Sequence, residues 1–426
     1  MRIGIRREDK SQWEARIPIV PEHIEELRRQ GFEVYVQPSN QRIFSDQDLR
    51  SAGAVVQDSL AECPFILGVK EIPLDVFEPR KTYFFFSHTI KAQPYNMPML
   101  ARMMARGCSL IDYERIVDDE GRRLVSFSRF AGLAGMIDTL WIFGRRLAGQ
   151  GVPTPLTELK QALHYDSLRD ARHHIAEVAR RCRQNPNFRL TLALTGMGRV
   201  ARGALEIARE LEPKVLSPDS LPSLGDMPGF NLCLFDVPDM VERKAGGEVD
   251  GQEYRLHPDR YRSRFSEHVD HLDVLVNGIY WEDRFPRLLS RSDVADMFAR
   301  GTPRLQVIGD ISCDIEGSIE ITTRACHPGA PSYVYRPDSG ECVDGVEGRG
   351  IVVMATDILP TELPREASKA FSEALMELLP PVRGLDTDQP AADWGLPPEL
   401  RRAMILADGE LTDEYRYLAE PASASA

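Results

Sequence analysis

Leu190-Thr191-Leu192-Ala193-Leu194-Thr195-Gly196-Met197-Gly198-Arg199-Val200-Ala201 is the stretch from which the fold of this chain can be read. Five apolar or β-branched residues run into a glycine-rich turn, and the pattern from Val200 to about Leu211 is helical. Strand, GxGxxA turn and helix in that order are the context a dinucleotide-binding fingerprint requires. The first glycine allows the tight turn, the second lets backbone approach a pyrophosphate, and the small third residue allows close helix packing. The helix start offers unpaired N–H donors to the phosphates. Gly196, Met197, Gly198, Arg199 and Val200 are therefore the expected nucleotide contacts. NAD binders place an acid about twenty positions further on, at the end of the next strand, against the ribose hydroxyls. Here Lys214-Val215-Leu216 runs into Ser217, and Asp219 lies beyond a proline. With Ser217 in the acid's place, the expected cofactor is NADP(H) rather than NAD(H).

Outward from this unit the chain keeps alternating. Short strands are expected at Arg2–Arg6, Glu33–Val36, Phe65–Val69, Tyr83–Phe86, Cys108–Asp112, Asp273–Val276 and Leu305–Ile308. A helix opens at Pro21 and stops at Gly31, another spans Ala131–Gly149 and joins two domains, and a third runs Arg169–Arg183 with its arginines on a solvated face. Alternation of this kind predicts a parallel sheet covered by helices, an α/β fold. The polar, Gly- and Pro-rich stretch 217–262 exceeds ordinary loop length and reads as an insertion or arm. At about 150 residues per domain, 426 residues make two or three.

Composition removes several classes. The formal charge of −13 argues against a general nucleic-acid binder, which needs a basic surface. No apolar run reaches the length of a membrane span, and the charged start MRIGIRREDK lacks the apolar core of an export signal. Seven cysteines without CxxC spacing fit neither a disulfide framework nor a zinc ribbon, so no metal site is expected. These readings point to a cytoplasmic chain with reduced thiols.

In open α/β sheets, sites form beyond the carboxyl ends of strands. Lys70, His88, Glu114, Asn277 and Asp310 all fall there. Arg16 and Arg123 are candidates for binding carboxylates, which the guanidinium fork holds with two hydrogen bonds.

The strings RREDKSQWEARIPIVP (6–21), GVKEIP (68–73), KTYFFFSHTIKAQ (81–93), LIDYERIVDDEGRR (110–123), TGMGRVARGA (195–204), NGIYWED (277–283) and GDISCDIEGSIE (309–320) make the chain resemble the lysine–ketoglutarate reductase half of α-aminoadipic semialdehyde synthase. More distantly it resembles the lysine-forming saccharopine dehydrogenases. Both groups lie within the alanine dehydrogenase/transhydrogenase family. The resemblance implies two Rossmann-like domains with parallel sheets and an interdomain cleft. It places a substrate domain at 1–135, completed by 336–426, and a nucleotide domain at 136–335. It implies catalytic roles for Lys70 and His88, and substrate binding by Arg16, Glu114 and Arg123. Asn277, Asp310 and Ser217 join the glycine turn around the cofactor. The implied reaction condenses L-lysine with 2-oxoglutarate to saccharopine using NADPH, and a separate glutamate-forming saccharopine dehydrogenase would consume the product. Another amino-acid or opine dehydrogenase, or a non-catalytic nucleotide sensor, would share much of this pattern.

Overall fold

The computed structural model describes residues 1–225 and 227–424. The chain divides into two compact units, one made of residues 1–127 and the chain from 364 onward, the other of residues 128–363.

The first unit is built on an eight-stranded sheet. Its order across the sheet is Glu410–Leu411, Met404–Ala407, Ser109–Asp112, Thr82–Phe85, Phe65–Leu67, Arg2–Ile5, Glu33–Val36 and Val55–Val56. The six strands from the N-terminal segment are all parallel, whereas Met404–Ala407 and Glu410–Leu411 form an antiparallel pair at one edge. Helix Pro21–Arg29 begins on proline, carries Glu22 in its first turn and Arg28 and Arg29 in its last, and gives way to Gly31 at a φ of +88°. Those charges oppose the helix dipole at each end, and the glycine takes the left-handed step that closes the helix. Ile24 and Leu27 turn inward onto a core that includes Phe65, Tyr83, Phe84 and Tyr113.

The second unit carries another eight-stranded sheet, in the order Cys342–Asp344, Ser332–Tyr335, Ile351–Met354, Val307–Asp310, Val274–Asn277, Arg189–Thr195, Gly229–Phe235 and Lys214–Leu216. Again six strands are parallel and two at one edge are antiparallel. The expectation of parallel sheets thus holds for the body of each sheet, and each closes one edge with an antiparallel pair, a common feature of large α/β sheets. Two other expectations change. Residues 336–363, assigned by sequence to the first domain, include Ile351–Met354, which pairs in register with Val307–Gly309 and so lies inside the second sheet. The stretch 217–262 is no mere insertion, because it supplies Gly229–Phe235, an interior strand beside the glycine-turn strand. Among the described residues, no helix is long and apolar enough to cross a membrane.

Helix Ser128–Gly149 lies against helix Arg199–Ala208 so closely that a Cβ at Gly132 would overlap the carbonyl oxygen of Val200, and one at Gly203 that of Arg129. The same long helix carries Asp138, fully buried, whose Oδ1 accepts the Ala162 N–H at 2.8 Å. Glu362, also buried, accepts Gln161 Nε2 at 3.3 Å and faces Asp138. Burial raises both carboxyls, and their mutual proximity raises Glu362 further. One proton shared between the two acids would satisfy Asp138 Oδ2 and Glu362 Oε2, which are buried without another partner. A carboxyl whose folded pKa is raised contributes stability below its unfolded pKa, near 4, and that contribution is lost as pH rises through the folded value. We expect Glu362→Gln to flatten this loss, so that its melting temperature, relative to wild type, is several degrees higher at pH 8 than at pH 5 (about 2–4 °C per kcal/mol). Thermal melts at the two pH values check this, and an unchanged difference would refute the shared proton.

Candidate active site

Four adjacent parallel strands of the first unit, Arg2–Ile5, Phe65–Leu67, Thr82–Phe85 and Ser109–Asp112, release their following loops on one edge of the sheet. That register collects Lys70, His88 and Glu114. Three buried or half-buried carboxylates not singled out from sequence fix the loops. Glu8 accepts the N–H groups of Val69 at 2.7 Å and Lys70 at 3.0 Å, which pins the backbone from which the Lys70 side chain projects. Burial raises the Glu8 carboxyl to about 7 despite the Arg6 charge nearby. Asp112, fully buried, accepts the Ser87 N–H at 3.2 Å, the Ser87 hydroxyl and the Glu114 N–H at 2.7 Å. It thereby ties the loop bearing His88 to the loop bearing Glu114, and burial lifts it to about 6.

Glu71 is the third. Its Oε1 lies 2.9 Å from His88 Nδ1 and 3.7 Å from Lys10 Nζ. Burial works to raise Glu71, but the hydrogen bond and charge of His88, a backbone N–H and the Lys70 charge together lower it to about 2. A permanently ionised carboxylate at Nδ1 selects the tautomer with its proton there and leaves Nε2 as the imidazole's second nitrogen. His88 sits at φ +51°, a left-handed conformation that is costly for a residue with a Cβ. Its ring lies nearly parallel to Phe86, at 6.1 Å between centroids, and its carbonyl accepts Asn96 Nδ2 at 3.0 Å. Strain held by several partners, with the ring left one-third exposed, is the pattern of a positioned functional side chain.

The arginines behave differently from one another. Arg16 does not present an open fork. Its Nε and Nη2 bond Glu14 at 2.7 and 2.5 Å, its guanidinium lies 4.0 Å over the Phe127 ring, and the residue is buried. The clamp expected there for a substrate carboxylate is occupied by the carboxylate two residues before it. Arg123 is half-exposed and bonds Glu114 through Nη2. Its neighbour Arg122 is turned toward Asp118 and Glu120 on the surface.

In the second unit Gly196 takes φ +91°, and a Cβ there would lie 3.0 Å from the Gly278 carbonyl oxygen. A Cβ at Gly198 would meet nothing within 4 Å. Met197, Gly198 and Arg199 are exposed and Val200 half-exposed, at the start of helix Arg199–Ala208, which has no side-chain cap. An open glycine ahead of uncapped N–H donors fits a pyrophosphate. Asn277 and Asp310 are brought together but face inward. Asn277 accepts Thr195 Oγ1 at 2.8 Å and donates to Asp310 Oδ1 and Ser318 Oγ, both at 2.9 Å. Asp310 also accepts Thr322 Oγ1 at 2.6 Å, and burial raises it to about 6. They lock three strand ends together beneath the turn. Ser217 is displaced. Its strand, Lys214–Leu216, is the sheet edge, and Gly229–Phe235 stands between it and the glycine-turn strand. The next strand in the chain is not the next strand in the sheet, so Ser217 does not stand beside the glycine turn.

Two doubly wound units, one with a glycine turn opening a helix, define a nicotinamide-dinucleotide-binding dehydrogenase fold. The chain matches the alanine dehydrogenase/PNT N-terminal domain over residues 4–134. It is homologous to alpha-aminoadipic semialdehyde synthase, with 36% identity to the mitochondrial mouse protein over 98% of this chain and 47% of that one, and 36% to the Arabidopsis thaliana protein over 98% and 41%. The chain spans about half the length of these relatives. The saccharopine dehydrogenase [NAD(+), L-lysine-forming] of Emericella nidulans is 28% identical over 89% of this chain and 91% of its own. Among solved structures, an L-alanine dehydrogenase superposes with a TM-score of 0.63 at 17% identity, over the whole of both chains.

Proposed function

We propose that this chain is an oxidoreductase interconverting L-lysine plus 2-oxoglutarate with saccharopine. The observation that carries the reading is the pair at the strand ends, Lys70 on a backbone pinned by Glu8 and His88 held through Nδ1 by Glu71. It is supported by homology over nearly the whole chain to a protein family that includes lysine-forming saccharopine dehydrogenases.

The chemistry asks for two proton carriers. The ε-ammonium of lysine, with a reference pKa of about 10.4, must lose a proton before its nitrogen can attack the ketone carbon. Lys70 accepts that proton. His88 delivers one proton through Nε2 to the ketone oxygen, the attacking nitrogen gives up a second to it, and the oxygen departs as water as the protonated C=N bond forms. When bound, the reduced nicotinamide supplies the hydride that converts the imine to the secondary amine. The three carboxylates of the substrates need cationic partners. Arg123, half-exposed, meets one by exchanging Glu114 for it, and Glu114 is then released toward a substrate ammonium. Arg16 acts by holding the loop through Glu14 and Phe127. A separate glutamate-forming saccharopine dehydrogenase would consume the product. The expectation of NADP(H) rested on Ser217 standing beside the glycine turn and on the family resemblance, and the displacement of Ser217 to the sheet edge removes the first of these supports.

Steady-state oxidation of reduced nucleotide should proceed with lysine plus 2-oxoglutarate and be at least tenfold slower, in kcat/KM, with alanine plus pyruvate. The reverse order would assign the chain to an alanine- or opine-type dehydrogenase, and no turnover with either pair would favour a nucleotide-binding sensor.

A further inference from the structure

The first unit holds a cavity of about 880 Å³ where the adjacent parallel strands Arg2–Ile5 and Glu33–Val36 release their following loops. Carboxyl ends of strands are where open α/β sheets place their ligands. In a chain of formal charge −13, this cavity is lined by three arginines, Arg7, Arg42 and Arg50. Two carboxyls line it as well, Glu8 and Asp46, and both are engaged elsewhere. Burial raises Glu8 to about 7, and its oxygens accept the Val69 and Lys70 N–H groups. Asp46 Oδ1 accepts the Ser39 N–H at 3.2 Å and lies 3.6 Å from Arg42 Nη1, beyond hydrogen-bond reach.

Arg42 decides what the cavity can hold. Its side chain is only 3% exposed, its Nη2 donates to the Gln37 carbonyl at 2.9 Å, and its Nη1 is buried with no hydrogen-bond partner. A buried charged donor without an acceptor is costly, and an anion seated against it removes that cost. We propose that this cavity binds the phosphate group of a small ligand, with Arg42 as the inner anchor and Arg7 and Arg50 at the rim. A phosphate brings nearly two negative charges and three strong acceptor oxygens, which three guanidiniums can meet together. A single carboxylate has too few oxygens to engage them all. The walls are tied before any ligand arrives. Gln41 Nε2 donates to the Ser11 and Glu14 carbonyls at 2.6 and 2.7 Å, and the Arg7 N–H donates to Gln37 Oε1 at 3.2 Å, so the two loops are joined to each other. The rim arginines are free to turn inward. Arg7 stands 3.8 Å from Asp58 in an exposed pair, and Arg50 is exposed. Neither Lys70 nor His88 lines the cavity, so the inference stands apart from the proposed reaction.

Calorimetric titration of the full chain with inorganic phosphate, against sodium chloride at matched ionic strength, tests the inference without turnover. Wild type should bind phosphate, and saturating NADH should leave that binding in place, because the glycine turn belongs to the other unit. Arg42→Gln, which can still donate to the Gln37 carbonyl, should weaken phosphate at least tenfold, the scale of a lost hydrogen bond to a charged group. Arg7→Ala and Arg50→Ala, both at exposed positions, should each weaken it several-fold and leave the melting temperature unchanged. Phosphate affinity unaltered in all three variants overturns the inference. So does phosphate wholly displaced by NADH, which places it on the glycine turn, or a wild-type response no greater than that to chloride. If NADH itself does not bind, the nucleotide reading fails, and the phosphate result in the three variants still decides this inference.

Discussion

Lys70→Met is expected to lower kcat for saccharopine formation at least ~100-fold, and His88→Gln to do the same, the usual scale of positioned acid–base assistance. Methionine keeps the length of the Lys70 stem and removes the ammonium. The backbone at residue 70 stays in place because its N–H is held by Glu8 and not by its own side chain. Glutamine can still donate to Glu71 from position 88 but has no proton to transfer near neutral pH. The two substitutions therefore remove chemistry and leave the scaffold, and melting temperatures should move by only a few degrees. Nucleotide affinity should be unchanged in both, since neither residue belongs to the unit that carries the glycine turn. The double variant should be little worse than either single one if the two groups, each moving its own proton, act as one catalytic unit. A folded double variant with near-wild-type turnover would remove both residues from the reaction.

What could be read from the sequence was local chemistry. The glycine turn was legible because two glycines, a strand and a helix start are contiguous, and the structure gives Gly196 the positive φ that the motif requires. The strand ends carrying Lys70 and His88 were legible for the same reason. What depends on partners distant in the chain was not. Glu71 lies 17 residues from His88 and Glu8 lies 62 from Lys70, and nothing in the spacing announces either contact. Asp112 was within reach, since it closes a recognised strand, but an acid at a strand end ordinarily reads as solvated. Arg16 misled because a carboxylate-binding fork looks the same in sequence whether its carboxylate comes from a substrate or from Glu14. The strand Gly229–Phe235 was hidden by its polar, Gly- and Pro-rich approach, and local pattern carries no information on the order in which strands pair. That one omission set Ser217 beside the glycine-turn strand, whereas its own strand lies on the far side of an unrecognised one. The antiparallel strands Met404–Ala407 and Ser332–Tyr335 escaped likewise, each completing a sheet begun elsewhere in the chain.

The glycines of the nucleotide unit separate two demands that the fingerprint merges, and a pair of substitutions should resolve them. Gly198 has φ −78° and ψ −171°, extended backbone open to any residue, and a Cβ there meets no protein atom within 4 Å. The protein itself gives no steric reason for glycine at this position, and on the proposed reading the reason is a ligand that comes as close as a Cβ would. Gly198→Ala should therefore leave the melting temperature within a degree or two of wild type and weaken NADH binding at least tenfold. Gly203 is the opposite case. It lies within helix Arg199–Ala208, where alanine would be favoured by about 1 kcal/mol on propensity alone. Yet a Cβ would overlap the Arg129 carbonyl oxygen of the crossing helix, and backbone cannot swing aside as a side chain can. Gly203→Val forces the helices apart and should cost about 3 kcal/mol, the upper range for overpacking, or roughly 6–12 °C in melting temperature for a unit of this size. Its effect on NADH binding should follow from the displaced helix start and be smaller than its effect on stability. Melting curves and NADH titrations on both variants decide the matter. If Gly198→Ala bound NADH as wild type does, the pyrophosphate would not pass over this turn, and the assignment of Gly196 to Val200 as the nucleotide cradle would fall with it.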